Sequence, residues 1–326
     1  MIILTGGAGF IGSCVLDALN RAGHTDVLIV DSLRSGEKWK NLVGRSYIDL
    51  VSKEEFRAIM ASGDQLDLGT VDTVIHLGAC SATTERDADY LYDNNFQFSC
   101  DVAEFAADHQ ARFIYASSAA TYGDGSMGYN ESERHLRPLN MYGYSKHLFD
   151  LWMDDQGLRD SAVGLKLFNV FGPHEYHKGD QASMVFKAYH QMMTSGTVRL
   201  FASRHPDYVD GGQLRDFIYV KDVVRVIMQF VHRPDINGLF NLGTGTARSW
   251  NDLATAVCTA LGKPPSITYI PMPDHLAGQY QNFTQADMTL LRSELPDLEL
   301  TPLEDAVADY VNGYLHTPWP YLETTT

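Results

Sequence analysis

Tyr142 and Lys146, in the run Tyr142-Gly143-Tyr144-Ser145-Lys146, have the types and the spacing to move a proton. Positions i and i+4 share a helix face, so a phenol and an ammonium placed there act together. A phenol ordinarily ionises near pH 10 and must have its pKa lowered by roughly 3, equivalent to about 4 kcal/mol, to serve as a base near neutrality. A neighbouring ammonium and a positive ring on a bound cofactor both favour the phenolate. Ser118, in Ser117-Ser118-Ala119-Ala120-Thr121-Tyr122-Gly123, has the hydroxyl to hold the same substrate oxygen in line.

A second constellation stands at the start of the chain, where an apolar run, Met1 to Thr5, enters Gly6-Gly7-Ala8-Gly9-Phe10-Ile11-Gly12 and a helical pattern follows. Glycines at this spacing permit a tight turn, close approach of the backbone to a pyrophosphate, and packing of the helix on the strand. The helix N-terminus then faces the phosphates. The next apolar run ends in Asp31, about the separation at which an acidic residue meets the adenosine ribose. Strand, turn, helix and acid together indicate a bound dinucleotide. Asp31 favours a free ribose 2′-hydroxyl, whereas Arg34, Lys38 and Lys53 have the charge to neutralise a 2′-phosphate, so these residues leave NAD and NADP both open.

The elements that must position these groups follow from hydrophobic patterning. Met1–Thr5, Asp26–Asp31, Asp72–Leu77, Arg112–Ser117 and Ala162–Phe168 are apolar runs with little alternation, as expected of strands buried on both faces. Ser13–Arg21, Lys53–Ala61, Asn94–Asp108 and Tyr142–Trp152 carry helical spacing. This alternation predicts an α/β fold with a doubly wound parallel (Rossmann) sheet and a second, smaller α/β substrate lobe. After Gly172-Pro173, the Pro, Gly, His and Asp of His205-Pro206-Asp207 and Gly211-Gly212 read as loops of that lobe. Arg215–Gln229 reads as a strand entering a helix, Gly238–Gly245 as a strand with a glycine turn, Ile267–Ile270 as a strand and Leu303–Leu315 as a helix. The dinucleotide-binding domain is therefore expected over 1–172 and about 215–247, and the substrate lobe over about 173–214 and 248–326.

Composition narrows the partners. With 25 Lys plus Arg against 41 Asp plus Glu, the net charge of −16 repels nucleic acid and anionic membrane surfaces. An anionic substrate would need a local basic patch. No apolar run approaches the roughly 20 residues of a membrane span, and a first strand starting at Met1 leaves no room for a signal peptide, so a cytoplasmic protein is expected. The four cysteines, Cys14, Cys80, Cys100 and Cys258, lack paired spacing and the twelve histidines form no ligand motif, implying neither disulfide nor metal.

The glycine loop, the serine-bearing strand end and Tyr142-x-x-x-Lys146 together resemble the extended short-chain dehydrogenase/reductase family of sugar-nucleotide enzymes, over essentially the whole chain. The resemblance implies that Tyr142 transfers the proton, that Lys146 binds the ribose and lowers the phenol's pKa, and that Ser118 orients the substrate. It places Asn169, Asp180, Lys187, Phe201, Arg215 and Tyr280 on the substrate, with Arg215 in Arg215-Asp216-Phe217-Ile218-Tyr219 holding a diphosphate. On the cofactor it places Gly6, Gly9, Phe10, Ile11 and Gly12 at the phosphates, and Asp31, Ser32, Lys38 and Lys53 at the adenosine end. Leu77, Gly78, Ala79, Cys80, Ser81, Asn94, Val170 and Lys178 complete its lining.

Within that family, His76-Leu77-Gly78-Ala79-Cys80-Ser81-Ala82-Thr83-Thr84-Glu85, Asp93-Asn94-Asn95, Pro138–Lys146, His177-Lys178-Gly179 and Leu276-Ala277-Gly278-Gln279-Tyr280-Gln281 resemble the branch that epimerises ADP-activated heptoses at C6. In that branch the lysine of His177-Lys178-Gly179 is the second acid/base. The resemblance also implies NADP as cofactor and a homo-oligomer, with a pentamer as the specific expectation. The acidic pair that follows a threonine in 4,6-dehydratases is missing at Ser118-Ala119-Ala120, which argues against elimination chemistry. The chain departs from the family at Leu77, Asp180 and Lys187, where Glu, Ser and His are usual, and by an insertion around His205–Gln213. Alternatives are another epimerase or reductase acting on a UDP- or dTDP-sugar, and a non-catalytic dinucleotide-binding regulator.

Overall fold

The computed structural model describes residues 1–62, 69–274 and 280–323. Among them are strands β1 (Ile2–Thr5), β2 (Val27–Val30), β3 (Asp49–Val51), β4 (Thr73–His76), β5 (Arg112–Ser118), β6 (Ala162–Leu167), β7 (Asn169–Phe171), β8 (Val198–Phe201), β9 (Leu214–Tyr219), β10 (Gly238–Leu242), β11 (Ala247–Ser249) and β12 (Ile267–Ile270). Seven form one sheet in the order β10-β6-β5-β4-β1-β2-β3, and every pairing in it is parallel. The expected doubly wound α/β architecture is the observed one. The chain runs outward from β1 in one direction through β2 and β3 and in the other through β4, so the switch point lies beside β1. Ligands in such sheets bind in the crevice beyond the strand C-termini at that point.

The near-continuous apolar strands serve two cores. Ile2, Leu4, Ile29, Ile75, Ile114 and Leu165 face one, together with the helices Phe10–Arg21 and Val220–His232. Ile3, Leu28, Val74, Phe113 and Tyr115 face the other, with Phe56 and the helix Phe98–Asp108. Successive residues of a strand point to opposite faces, so a strand covered on both sides needs apolar residues at every position.

Two smaller sheets lie outside this one. β9 pairs parallel with β7 and antiparallel with β11, and β8 pairs parallel with β12. His205-Pro206-Asp207 and Gly211-Gly212 lie in turns and irregular chain as expected, but two elements that were not expected precede them: Met184–Ser195 is a helix, with Ser183 Oγ accepting from the Phe186 amide at 3.3 Å and Gly196 closing it in the left-handed region at φ +72°. Val198–Phe201 is a strand. Its alternation, Val198 and Leu200 buried and Arg199 exposed, is the period-2 signal of a half-buried strand. The expected helix Asn94–Asp108 instead starts with a π-helical turn, Tyr92–Gln97, and Leu303–Leu315 ends in another, Val311–Leu315.

Asp216, fully buried on β9, joins the pieces. Its carboxylate accepts from the Thr244 amide and hydroxyl, both at 2.7 Å, from the Gly245 amide at 2.9 Å and from the Ala286 amide at 3.0 Å. Asp216→Ala removes the acceptor from these buried and half-buried donors and is expected to lower the unfolding free energy by about 3 kcal/mol, read from the urea midpoint. A loss below about 1 kcal/mol would show that the carboxylate does not organise the turn.

Candidate active site

The glycine loop joins β1 to the helix Phe10–Arg21 with Gly9 as N-cap, so the helix starts three residues earlier than its apolar pattern indicates. A Cβ on Gly12 would lie 2.1 Å from the Gly6 carbonyl oxygen, so only hydrogen fits where helix and turn meet. Asp31, directly after β2, accepts from the Ala8 amide at 3.0 Å and the Ser32 amide at 2.7 Å and pairs with Lys38. Arg34, held at φ +51°, faces the Tyr90 hydroxyl. Lys53 pairs with Asp93 at 2.9 Å.

The segment after β4 forms a wall against the glycine loop: a Cβ on Gly6 would lie 2.8 Å from the Gly78 nitrogen. Gly78 N–H donates to Thr5 Oγ1 at 3.0 Å, Thr5 Oγ1 meets His76 Nδ1 at 2.8 Å, His76 Nε2 meets Ser99 Oγ at 2.9 Å, and Ser99 donates to the Asn95 carbonyl at 2.6 Å. Burial holds His76 neutral, down at about 3. The chain of donors assigns its proton to Nε2, because Thr5 then donates to Nδ1 while accepting from Gly78. Asn95, on the π-helical turn, accepts from the Cys80 amide at 2.8 Å and donates to the Cys80 carbonyl at 2.9 Å and to Ser145 at 3.2 Å. It therefore ties this wall to the helix Met141–Asp155. Asn94, the residue expected at the cofactor, donates to Asn95 Oδ1 at 2.9 Å.

Asn140 caps the helix Met141–Asp155, accepting from the Gly143 amide at 2.9 Å, and Tyr142 occupies its first turn. Burial pushes the Tyr142 phenol up, and the facing Ser118 hydroxyl opposes that rise. Lys146, 3% exposed, donates to the Ala116 carbonyl at 2.8 Å, and burial pulls it down to about 8.

Ser81, Ser118, Tyr142, Asn169, Val170, Lys178, Lys187, Phe201 and Tyr280 all line one cavity of about 630 Å³, a size suited to a small ligand. An adjoining recess of about 190 Å³, lined by Thr84, Asn140 and Gln281 among others, holds Arg215. The Arg215 guanidinium lies between the Trp250 and Tyr280 rings, 5.6 and 5.0 Å from their centres, and donates to the Gln281 and Leu214 carbonyls. Lys178 stands 5.3 Å from the Phe10 ring centre. Burial and nearby Lys187 pull its ammonium below the ordinary lysine range, while Glu175 opposes them. Glu175 is itself buried, accepting from Ser183 Oγ at 2.7 Å and the Gly172 amide at 3.3 Å.

Not every expected residue reaches the cavity. The Asp180 side chain is exposed and does not line it, and only the Asp180 carbonyl takes part, accepting from Lys187 Nζ at 2.7 Å. In Leu276–Gln281, positions 276–279 lie outside the described residues. Sequence reasoning missed Arg199, whose signal was the alternation along β8, and Trp250, which gave none. Lys178, Lys187 and Arg199 line the cavity and Arg215 the recess, with no carboxylate in either lining among the described residues. The acidic chain thus carries the local basic patch that an anionic ligand requires.

Comparison with known proteins gives the same picture. The model of the NAD dependent epimerase/dehydratase family matches residues 2–243. An ADP-L-glycero-D-manno-heptose-6-epimerase of Nitratidesulfovibrio vulgaris is 53% identical over 325 residues, covering 99% of this chain and all of that one. Its counterpart from Fusobacterium nucleatum is 47% identical, again over 99% of this chain and all of the relative. Among solved structures, the Helicobacter pylori ADP-L-glycero-D-manno-heptose-6-epimerase superposes with a TM-score of 0.80 at 29% identity, covering 96% of this chain and 95% of that one.

Gly12→Ala is expected to abolish retention of a dinucleotide through purification, because the added methyl displaces the Gly6 carbonyl. Mass spectrometry of the nucleotide released on denaturation checks it, and wild-type occupancy in the variant would refute the assignment of the loop.

Proposed function

Because the chain belongs to the NAD dependent epimerase/dehydratase family, we propose that it converts ADP-D-glycero-D-manno-heptose to the L-glycero form by inverting C6 through a 6-keto intermediate. The observation that carries this reading is the placement of Tyr142 and Lys178 on one cavity lined by cations. A dinucleotide fits the chain at the glycine loop, where a side chain on Gly12 would occupy the turn. When bound, it supplies reversible hydride acceptance at C6 and a positive charge that favours the Tyr142 phenolate.

The protein's own residues handle the protons. In the oxidative half-reaction one base removes the C6 hydroxyl proton as hydrogen leaves C6 with its electron pair. After the ketone turns, hydride returns to the opposite face and the second residue donates a proton to the oxygen. The C6 oxygen lies on different sides of the cavity in the two halves, so two acid/base groups are needed. Tyr142, with Ser118 orienting the oxygen, is one. Lys178 is the other: burial and nearby Lys187 lower its pKa while Glu175 opposes them, a net shift toward the neutral amine that a base requires and that a freely solvated lysine does not undergo. Arg215, Lys187 and Arg199 offer charge to the diphosphate.

For the cofactor, NADP is the reading that Lys38 and Arg34 beside Asp31 support, since a 2′-phosphate adds charge that cations neutralise. Lys38→Ala is expected to raise Kd for NADP by about tenfold and leave NAD within about twofold, measured by calorimetry on the stripped protein. Lys53→Ala tests a residue that already has Asp93 as partner. Equal losses for both cofactors would remove the 2′-phosphate role.

Tyr142→Phe and Lys178→Met should each lower kcat by roughly 10² to 10⁴ with KM nearly unchanged, because the loss falls on the transition state. Raised KM with near-normal kcat in Lys178→Met would make Lys178 a diphosphate ligand. Turnover of UDP-glucose in preference to the ADP-heptose would overturn the substrate reading.

A further inference from the structure

Three consecutive residues at the end of β5 bind one stripe of the helix Met141–Asp155. Ser118 faces Tyr142, the Ala116 carbonyl accepts from Lys146 Nζ at 2.8 Å, and Ser117 Oγ donates to Asp150 Oδ2 at 2.7 Å. Tyr142, Lys146 and Asp150 are spaced i, i+4 and i+8 and so lie on one helix face. The phenol lines the cavity, while the ammonium and the carboxylate are buried, each 3% exposed. Asp150 is clamped further by Lys166 Nζ at 2.6 Å and the Tyr115 hydroxyl at 3.3 Å. Lys166, 1% exposed, also donates to Thr121 Oγ1 at 2.8 Å and stands 5.0 Å from the Tyr122 ring centre.

We propose that Asp150 is a positioning residue for the proton chemistry of Tyr142: its carboxylate, fixed by Ser117 and Lys166, keeps the buried Lys146 head group cationic, and that cation favours the Tyr142 phenolate. The proposal rests on the roles of Tyr142 and Lys146 given above.

Lys146 makes its hydrogen bond to a neutral carbonyl, which solvates an ammonium without countering its charge. Burial favours the neutral amine, and Asp150 opposes that fall. From β4 Lys146 meets His76, which is neutral, and among the described residues Asp150 is the carboxylate that offsets the burial. Around Asp150 stand Lys166 from β6, Tyr115 from β5, Tyr122 from the turn after β5, and His147 and Asp154 on its own helix. Arg159 donates to the Asp150 carbonyl at 3.2 Å, and Glu131 stands within electrostatic reach of Lys166. A purely structural Asp150–Lys166 pair would brace β5 and β6 against the helix without altering the charge on Lys146.

The experiment follows Lys146 directly. The holoenzyme is labelled with ε-¹³C-lysine, the Lys146 signal is assigned by its loss in Lys146→Arg, and its titration is compared with that of the double variant Asp150→Asn/Lys166→Met. The double variant removes both charges and leaves no unpaired buried ion. The amine should titrate near 8 in the wild type and at least about one pH unit lower in the double variant. The alkaline limb of kcat should move down with it, because the needed cation is lost as pH rises through that pKa. Asp150→Glu, which keeps the charge, should return both toward the wild type.

A double variant that folds and holds cofactor but whose Lys146 titrates with the wild type overturns the proposal. If the double variant does not fold, the wild-type titration decides: a value above about 7 supports the proposal, and one below about 6, the range of buried lysines without a partner, overturns it. If Lys146→Met retains turnover above a tenth of wild type, the reading of Lys146 fails and takes the proposal with it. If that variant is inactive yet the double variant leaves the titration unmoved, Lys146 keeps its role and only Asp150 loses its own.

Discussion

The site depends on how closely the helix Met141–Asp155 sits on the turn after β5. A Cβ on Gly143 would lie 2.5 Å from the Ala120 carbonyl oxygen, so a side chain there would lift the first helical turn away. At that distance Tyr142 faces Ser118, and Lys146 reaches the Ala116 carbonyl. The Asn140 cap sets where the helix starts and hence which residues fall on the seated face. Asn95 repeats the constraint from the other side by joining the Cys80 backbone to Ser145. One backbone contact and two asparagines thus bring three elements of a parallel sheet to a common mouth.

Electrostatics completes what packing begins. A chain of net charge −16 would repel a nucleotide diphosphate at long range, and the correction is local: Lys178, Lys187, Arg199 and Arg215 supply the cations around the cavity and its recess. Attraction inside a cavity with low-dielectric walls is less screened than on the surface. Burial has a different consequence at each group. It raises the Tyr142 phenol and lowers the Lys146 and Lys178 amines, moving a base and two cations toward neutrality unless a partner opposes. Ser118, Asp150 and Glu175 are those partners, and Asp150 and Glu175 act from outside the cavity lining.

The sheet was legible because every residue of β1, β2 and β4 is buried, leaving unbroken apolar runs. The glycine turn and the Tyr142–Lys146 pair were legible because their chemistry is local in sequence. Met184–Ser195 and β8 were not, as the Pro, Gly and Asp of the following turn dominated the local texture. Their own signals, Ser183 and Gly196 at the helix ends and the alternation around Arg199, were present but short. Trp250 gave no signal because its contact with Tyr280, at 2.9 Å, spans a long sequence separation, and Glu175 gave none because its burial against Gly172 and Ser183 is set by the fold of one irregular turn. Asp180 was expected on the substrate and contributes its backbone instead.

The central claim is that C6 is inverted by removal and internal return of hydride, with protons exchanged only at oxygen. Incubating the enzyme in ordinary water with an ADP-heptose deuterated at C6, and following product by NMR, tests it most directly. The account predicts that the epimer retains its deuterium at C6. Loss of that deuterium to solvent would mean that C6 is deprotonated as a carbon acid, and would contradict it.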